Sequence, residues 1–378
     1  MNDETILTNA ALVLANEVLR GTLILRAGTI ADIQPGVSGL PGALDVDGDH
    51  LIPGIVDLHT DNLERQVQPR SNARWPSRSA MIAHDQQCAA AGITTVFDAL
   101  CLGDLGFDKN RVRTFHEGVA DLDVLGAAGL LRAEHFLHLR CEIPADDMLA
   151  LFDPVADHPR VRMVSLMDHT PGVGQYADLD YYRALRRTGG LDDEEIDRRM
   201  VELRANRIRL RGPNRSSVLA RVRGRDVALA SHDDRTEEEV AENAAAGIRV
   251  SEFPVTMRAA RAAKAAGMAV VAGAPNIVRG GSHSGNVAVL DLIEAGAVDA
   301  LASDYVPNSL VEAAFLCARR GVPPHAAIGL VTDAPARIAG LSDRGRLAPG
   351  LRADLVRVRL HEDIAVVRAT WSAGERVA

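Results

Sequence analysis

From about residue 52 onward, short apolar runs alternate with longer helix-forming segments, and this alternation restricts the chain to α/β architectures. Val, Ile and Leu fill the runs almost without interruption, which is typical of parallel strands buried on both faces. The segments between the runs are long enough to hold a crossover helix each time. The predicted strands are residues 55–59, 94–100, 135–143, 161–168, 227–231, 248–254, 269–274 and 300–304.

Eight successive strand–helix units predict a (β/α)8 barrel of the TIM type. Two of the helices are predicted at residues 79–91 and 237–246, and a glycine, a common signal past a helix C-terminus, follows each of them. A doubly wound open sheet is the alternative, but no GxGxxG motif follows the first strand. The barrel is therefore the favoured fold class.

The two ends of the chain have a different pattern. Short alternating segments separated by Gly, Asn and Asp occupy residues 6–14, 21–26 and 29–33, and similar segments occupy residues 353–359 and 365–369. This pattern predicts short strands exposed on one side. We expect residues 1–53 and 342–378 to form one small β-sandwich domain, with the barrel, residues 54–341, inserted between them.

The longest segment between predicted strands, about residues 170–226, contains a stretch rich in Arg and Glu at residues 191–211. Ile196, Met200, Leu203 and Ile208 recur in it at helical spacing. The pattern predicts a solvated helix that packs one apolar stripe on the barrel. A lid over the active site or an oligomer contact is the alternative.

Composition excludes several classes of protein. A net charge of −9 argues against general nucleic-acid binding, and no apolar run reaches the roughly 18 residues of a membrane span. The acidic start of the chain is unlike a signal peptide, and the four cysteines form no CxxC pair. We expect a cytoplasmic protein that acts on a small molecule, with a homo-oligomer left open.

Acidic and imidazole side chains recur at the predicted strand ends. A barrel of this type forms its active site at the C-terminal ends of its strands. A single histidine there is more often structural, but repetition at five or six strands predicts a divalent metal site with mixed N and O ligands, suited to Zn²⁺, Mn²⁺ or Fe²⁺. The candidate residues are His59, Asp61, His138, Arg140, Glu142, Asp168, His169, His232, Glu252 and Asp304.

Three segments resemble the amidohydrolase superfamily: LIPGIVDLHTD (residues 51–61), ASD (302–304) and GRLAPGLRADLVRV (345–358). The resemblance implies a metal-dependent hydrolase whose barrel is inserted in a small β-domain. The usual HxH motif is His59-Thr60-Asp61 here. Neither Lys109 nor Lys264 lies at a predicted strand end, so the carboxylated lysine of many members is not expected, and Glu142 is its expected substitute.

A narrower resemblance covers almost the whole chain. Seven ordered blocks are similar to the α-D-ribose 1-methylphosphonate 5-triphosphate diphosphatase family of the carbon–phosphorus lyase pathway. The resemblance implies hydrolysis of a ribose 5-triphosphate to the 5-phosphate and diphosphate. The blocks are DLHTDN (57–62), HLRCE (138–142), SLMDHTPG (165–172), ASHDD (230–234), EFP (252–254), GAPNIVRGGSHSGN (273–286) and SDYVPNSL (303–310).

This resemblance implies a site with two metal ions. One ion is expected on His59, Asp61 and Asp304, and the second on His232 with either His169 or Glu252. Glu142 is expected to bridge the two ions. Asp304 is the expected general base toward the attacking water.

A triphosphate substrate requires cationic contacts, and arginine can contact phosphate in a bidentate manner. We expect Arg140, Arg279 and Arg70 to bind the substrate, with His283 as a further phosphate contact. Glu252 is either a metal or water ligand or the partner of an arginine in the pocket. Attack at the α- or the β-phosphorus gives the same products.

Two other functions compete with this interpretation. The wider superfamily suggests a hydrolase of C–N bonds, an amidase or deaminase, whereas the cationic loop around Arg279 favours a phosphorylated substrate. The second competing function is a non-catalytic scaffold that binds the other proteins of phosphonate metabolism. A scaffold could lose its metal ligands without penalty, yet the chain retains them.

Overall fold

The computed structural model describes residues 4–70, 73–106, 110–282 and 285–378. Within these ranges the strands form two eight-stranded sheets. The strands are β1 (Glu4–Val13), β2 (Val18–Arg26), β3 (Thr29–Pro35), β4 (Leu44–Asp45), β5 (His50–Pro53), β6 (Ile55–Thr60), β7 (Ile93–Leu102), β8 (Glu134–Glu142), β9 (Val161–Met167), β10 (Ala228–His232), β11 (Val250–Glu252), β12 (Ala269–Gly273), β13 (Ala300–Ala302), β14 (Leu355–His361), β15 (Ile364–Ser372) and β16 (Glu375–Arg376).

Helices separate the strands of the second sheet. They are α1 (Asn62–Val67), α2 (Ser77–Ala90), α3 (Asn110–Ala127), α4 (Met148–Phe152), α5 (Leu179–Thr188), α6 (Asp193–Val222), α7 (Glu237–Ala245), α8 (Met257–Ala265), α9 (Ala274–Arg279), α10 (Val289–Glu294), α11 (Ser309–Arg319), α12 (Pro324–Gly329) and α13 (Asp333–Ile338), with a 3₁₀ turn at Gly174–Tyr176. In the described ranges, no helix combines the length and the apolar character that a membrane span requires.

The first sheet contains strands from both ends of the chain, in the order β16-β15-β14-β5-β1-β2-β3, with β4 beside β1. Side chains from both ends of this sheet meet in one buried cluster, which includes Leu23, Ile30, Leu355 and Trp371. The small β-domain predicted from the alternating segments is thereby confirmed. Its boundaries at residues 53 and 342 stay a prediction, although β5 and β6, on either side of Gly54, belong to different sheets.

The second sheet is a closed barrel of parallel strands in the order β6 to β13. Its ends are joined by two backbone hydrogen bonds, from Asp304 N to His59 O at 2.9 Å and from Asp61 N to Asp304 O at 2.6 Å. The predicted (β/α)8 barrel is confirmed, and the open-sheet alternative is wrong. Closure also brings the end of the first barrel strand next to the segment that follows the last one.

Two barrel strands are shorter than predicted by more than one residue. β11 and β13 each contain only three residues. Phe253, directly after β11, and Asp304, two residues after β13, have left-handed backbones. Their φ angles are 54° and 55°. A positive φ turns the chain out of the extended conformation and ends the strand ladder.

The charged stretch forms part of α6, a helix of 30 residues. Ile196, Met200 and Leu203 are buried, as predicted, but only Leu203 joins the core around the barrel, whereas Ile196 and Met200 cluster with Tyr182 of α5. The prediction for Ile208 is wrong, because its side chain is 87% exposed. Ile208 is five positions after Leu203, which places it about 140° around the helix from that residue.

Candidate active site

A cavity of about 330 Å³ opens at the C-terminal ends of the barrel strands. Asp304 contributes to its lining, and further lining residues lie in the ranges 272–282 and 286–289. We call it the barrel-mouth cavity. Its ionisable lining residues include His59, Asp61, Arg111, Arg140, Glu142, His169, His232, Asp233, Arg279 and Asp304.

His59, Asp61 and Asp304 form the first group of potential metal ligands in this cavity. One ligand atom from each lies within 4.8 Å of the others. His59 Nε2 is 3.5 Å from Asp61 Oδ1 and has no hydrogen-bond partner. Burial, together with the nearby Asp61 carboxylate, raises the pKa of Asp304 to about 6. The group was expected from the sequence, and the structure brings its three members together.

His169, His232 and Asp233 form a second group with the same spacing. Asp233 Oδ2 lies 3.1 Å from His232 Nδ1 and 3.6 Å from His169 Nε2. The sequence analysis missed Asp233, because simple alternation along β10 places it on the face opposite His232. A left-handed backbone, with φ of 58°, turns the Asp233 side chain into the cavity instead. The run His232-Asp233-Asp234 at a strand end was the available signal.

Glu252 lies between the two groups. Its Oε1 is 2.8 Å from His59 Nδ1, and its Oε2 is 3.8 Å from His232 Nε2. Burial opposes both charges of the His59–Glu252 pair, but their attraction outweighs it, raising the pKa of His59 to about 10 and lowering that of Glu252 to about 2. His59, His232 and Glu252 also satisfy the spacing of a third potential ligand group.

The buried polar atoms at the base of the cavity fit divalent cations. Four of them have no hydrogen-bond partner: His59 Nε2, His232 Nδ1, Asp233 Oδ2 and Glu252 Oε2. Leaving a buried polar atom unpaired costs about 1–3 kcal/mol, so four in one place need an explanation. Nitrogen and carboxylate oxygen donors facing one another are the ligand set of Zn²⁺, Mn²⁺ and Fe²⁺ sites.

Comparison with known proteins assigns the chain to a family, although it matches no family profile. It is 43% identical over 377 residues to the α-D-ribose 1-methylphosphonate 5-triphosphate diphosphatase of Escherichia coli (strain K12), covering 98% of this chain and 100% of that protein. The chain belongs to the α-D-ribose 1-methylphosphonate 5-triphosphate diphosphatase family.

Two solved structures show the same fold as this member of the diphosphatase family. A crystal structure of an amidohydrolase aligns with a TM-score of 0.62 at 14% identity, covering 99% of this chain and 98% of that one. The N-acetyl-D-glucosamine-6-phosphate deacetylase of Mycobacterium smegmatis aligns with a TM-score of 0.63 at 18% identity, covering 99% and 100%. The fold implied by the superfamily resemblance is confirmed.

Glu142, which was expected to bridge the two ions, contacts His169 with both of its carboxylate oxygens. Its Oε1 accepts a hydrogen bond from His169 N at 2.8 Å, and its Oε2 is 2.6 Å from His169 Nδ1. Among the described residues, the potential ligand groups do not include Glu142. With both oxygens held by His169, Glu142 orients that imidazole and leaves its Nε2 directed to Asp233.

The arginines expected at the substrate differ in where they lie. Arg140 is buried and donates from Nη1 to both oxygens of Asp61. Arg279 lines the cavity at the end of α9 and is exposed. Arg70 is exposed and absent from the cavity lining, whereas the half-buried Arg111, which the sequence analysis missed, belongs to it. His283 lies outside the described residues.

A further cluster of His and Asp lies outside the cavity. His84 Nε2 is 2.7 Å from Asp98 Oδ1, and His135 Nδ1 is 2.8 Å from Asp98 Oδ2. His135 Nε2 is in turn 3.2 Å from Asp85 Oδ1. His84, Asp98 and His135 also satisfy the spacing of a metal site, but their ring and carboxylate contacts already pair them with one another. We interpret this cluster as a structural hydrogen-bond network.

Proposed function

We propose that the chain hydrolyses α-D-ribose 1-methylphosphonate 5-triphosphate to the 5-phosphate and diphosphate. The full-length similarity to the E. coli enzyme of that name carries the proposal. The site supports it, because three arginines line the same cavity as the acid and imidazole groups. A phosphoanhydride substrate with several anionic oxygens needs such cationic contacts, whereas an uncharged C–N substrate does not.

We propose that two divalent ions belong to this site, one on His59, Asp61 and Asp304 and the other on His169, His232 and Asp233. The unpaired nitrogen and oxygen atoms of these groups support the assignment. When bound, such ions lower the pKa of water and neutralise charge on phosphoryl oxygens. Zn²⁺, Mn²⁺ and Fe²⁺ all suit these ligands.

We propose that Glu252 orients the ligand histidine His59. Its Oε1 contacts His59 Nδ1 at 2.8 Å, on the side of the ring away from the unpaired Nε2, whereas its Oε2 is 3.8 Å from His232 Nε2 and has no hydrogen-bond partner. A carboxylate that accepts the second N–H of a ligand histidine fixes its tautomer and ring orientation. Glu142 holds His169 in the same way. Glu252 is thus assigned to positioning rather than to substrate binding.

Asp304 is the proposed general base. Its carboxyl lies next to His59 and Asp61, and its raised pKa of about 6 keeps it a competent proton acceptor near neutral pH. It accepts the proton of the attacking water on a carboxylate oxygen. Its left-handed backbone, hydrogen-bonded on both sides to the end of β6, fixes the direction of the side chain.

The positive charges are proposed to have separate tasks. Arg140 balances the charge of Asp61, whereas Arg279 and Arg111 lie where the phosphate chain would cross the cavity. Diphosphate leaves as an anion, so these cations stabilise the leaving group. A small-molecule substrate of this kind is consistent with the predicted cytoplasmic location, which stays a prediction.

The test is hydrolysis by the purified protein, supplied in turn with Zn²⁺, Mn²⁺ or Fe²⁺ and followed by ³¹P NMR. We expect diphosphate and the ribose 5-phosphate product, and no turnover by His59→Ala. Release of orthophosphate, or turnover of adenine or cytosine in place of the triphosphate, would contradict the proposal. Reaction in H₂¹⁸O distinguishes the two routes, since attack at the α-phosphorus labels the 5-phosphate and attack at the β-phosphorus labels diphosphate.

A further inference from the structure

Helix α6 has two apolar sides, and only one of them is covered. Ile196, Met200 and Leu203 are buried, the first two in a cluster with Tyr182 of α5 and the third in the core around the barrel. On the other side, the side chains of Val201 and Ile208 are 70% and 87% exposed. Scattered exposed apolar residues are ordinary, but two of them seven residues apart on one helix lie on the same line of its surface.

The exposed line has the spacing of a helix-pairing seam. Ala205 and Gly212 are also exposed, so Val201, Ala205, Ile208 and Gly212 follow one another at intervals of four, three and four residues. Residues at this spacing remain on one face over several turns and form the contact surface between two paired helices. The small residues at alternate positions allow the backbones of two such helices to approach closely. We call this line the α6 seam.

Two opposite charges flank the α6 seam. The exposed Glu202 directly follows Val201, and the exposed Arg209 directly follows Ile208, so the acid and the arginine lie on the same side of the seam. Two copies of this helix placed antiparallel would bring acids opposite arginines. Two parallel copies would bring like charges together, which costs free energy.

We propose that the α6 seam is the interface of a homodimer in which two α6 helices pair antiparallel about a two-fold axis. An axis near Ala205 sets Val201 of one copy against Ile208 of the other. The same axis places Glu202 of one copy beside Arg209 of the other, twice. The surface is therefore complementary to itself, as a two-fold contact requires.

The size of the contact sets its expected strength. One helix pair buries less area than a typical stable interface, so a dissociation constant on the order of micromolar is expected. Glu202 and Arg209 already have exposed intramolecular partners, Arg198 and Asp146, which the dimer would exchange for partners in the second copy. The exchange is inexpensive because exposed ion pairs contribute little stability.

Sedimentation of the full-length protein tests the apolar part of the seam. We expect a concentration-dependent dimer that Ile208→Asp weakens at least about 10-fold, since it places a charge in the contact. The control is Ile364→Asp, a 59% exposed residue of β15, which should leave the dimer unchanged. A wild-type monomer at about 100 μM, where a micromolar dissociation constant predicts mostly dimer, or an unchanged dimer in Ile208→Asp, would overturn the proposal.

Charge reversal tests the antiparallel register. In a dimer of Glu202→Arg, the new arginine lies beside Arg209 of the other copy. In a dimer of Arg209→Glu, the new glutamate lies beside Glu202 of the other copy. Each variant should therefore dimerise more weakly than wild type. Mixed together, they should form a heterodimer, because each contact then joins opposite charges. Wild-type Tm values in both variants verify folding. If the mixture dimerises no more strongly than either variant alone, the antiparallel register is wrong.

Discussion

Arg140 donates from Nη1 to both carboxylate oxygens of Asp61, at 2.6 and 2.7 Å. The sequence analysis assigned this arginine to the substrate, but the structure places it on a proposed metal ligand. Its positive charge holds the pKa of Asp61 well below the usual range, against the effect of burial. The pair therefore keeps Asp61 ionised in a cavity that Asp233 and Asp304 also line.

Arg140→Met should destabilise the metal-free protein more than the loaded one. Removing one partner of a largely buried ion pair leaves an uncompensated charge and costs about 3–5 kcal/mol, and a divalent cation can restore the balance. The measurement is Tm with and without added metal. Arg140→Lys, which retains a positive charge, is the control and should be affected less. Equal losses of Tm in both states of Arg140→Met would show that Asp61 does not contact the metal.

Asp304→Asn should lower kcat at least about 100-fold, the usual cost of losing a positioned base, while most metal remains bound. Asparagine tolerates the left-handed backbone at this position, so the substitution isolates the carboxylate. Elemental analysis and kcat are measured on the same samples. Asp304→Ala adds backbone strain and should also lower Tm. Near-normal kcat in Asp304→Asn would exclude Asp304 as the base.

Glu142→Gln distinguishes a bridging ligand from a residue that orients His169. If Glu142 orients His169, the amide retains one of the two contacts, and one metal ion should bind about 10- to 100-fold more weakly. At saturating metal the protein should still take up two ions. Metal titration by calorimetry measures this. A stoichiometry fixed at one ion per chain would instead restore the bridging role predicted from the sequence.

Arg279→Ala should lower kcat/KM for the triphosphate about 10-fold, the lower end of a charge-assisted contact, because the residue is exposed. Bound metal should not change, since Arg279 is not among the proposed ligands. Arg70→Ala is the matched control, because Arg70 does not line the cavity. An unaltered kcat/KM in Arg279→Ala would leave Arg111 as the main cationic contact.

The network around His135 predicts a pH dependence of stability. Burial opposes a charge on this ring, but Asp98 and Asp85 outweigh it and raise the pKa of His135 to about 9. A histidine whose pKa is higher in the folded state contributes stability that is complete below its ordinary pKa of 6.5 and is lost as the pH rises through about 9.

Wild-type Tm should therefore fall between pH 6.5 and 9.5 more steeply than the Tm of His135→Gln, which cannot titrate there. The difference between the free energies of unfolding of the two proteins should shrink by up to about 3 kcal/mol over this interval. Thermal unfolding at matched ionic strength provides the comparison. Parallel curves would show that His135 is neutral in the folded protein.

Local sequence patterns determined the architecture of this protein. The uninterrupted apolar runs specified eight buried parallel strands, and the alternating segments at both ends specified a sheet with one buried side. These patterns can be recognised in the sequence because burial acts on each strand separately. For the same reason, the sequence alone placed His59, Asp61, His169, His232 and Asp304 at strand ends, where the structure brings them to one cavity.

The partner of each charged group was decided only by the tertiary structure. Barrel closure brought Asp304 to His59, and left-handed backbones after β10 and β13 directed Asp233 and Asp304 into the cavity. The alignment of the strand ends paired Asp61, after β6, with Arg140 of β8, and His169, after β9, with Glu142 of β8. Such pairings depend on distances between strands far apart in sequence, to within about 1 Å, and no spacing along the chain contains that information.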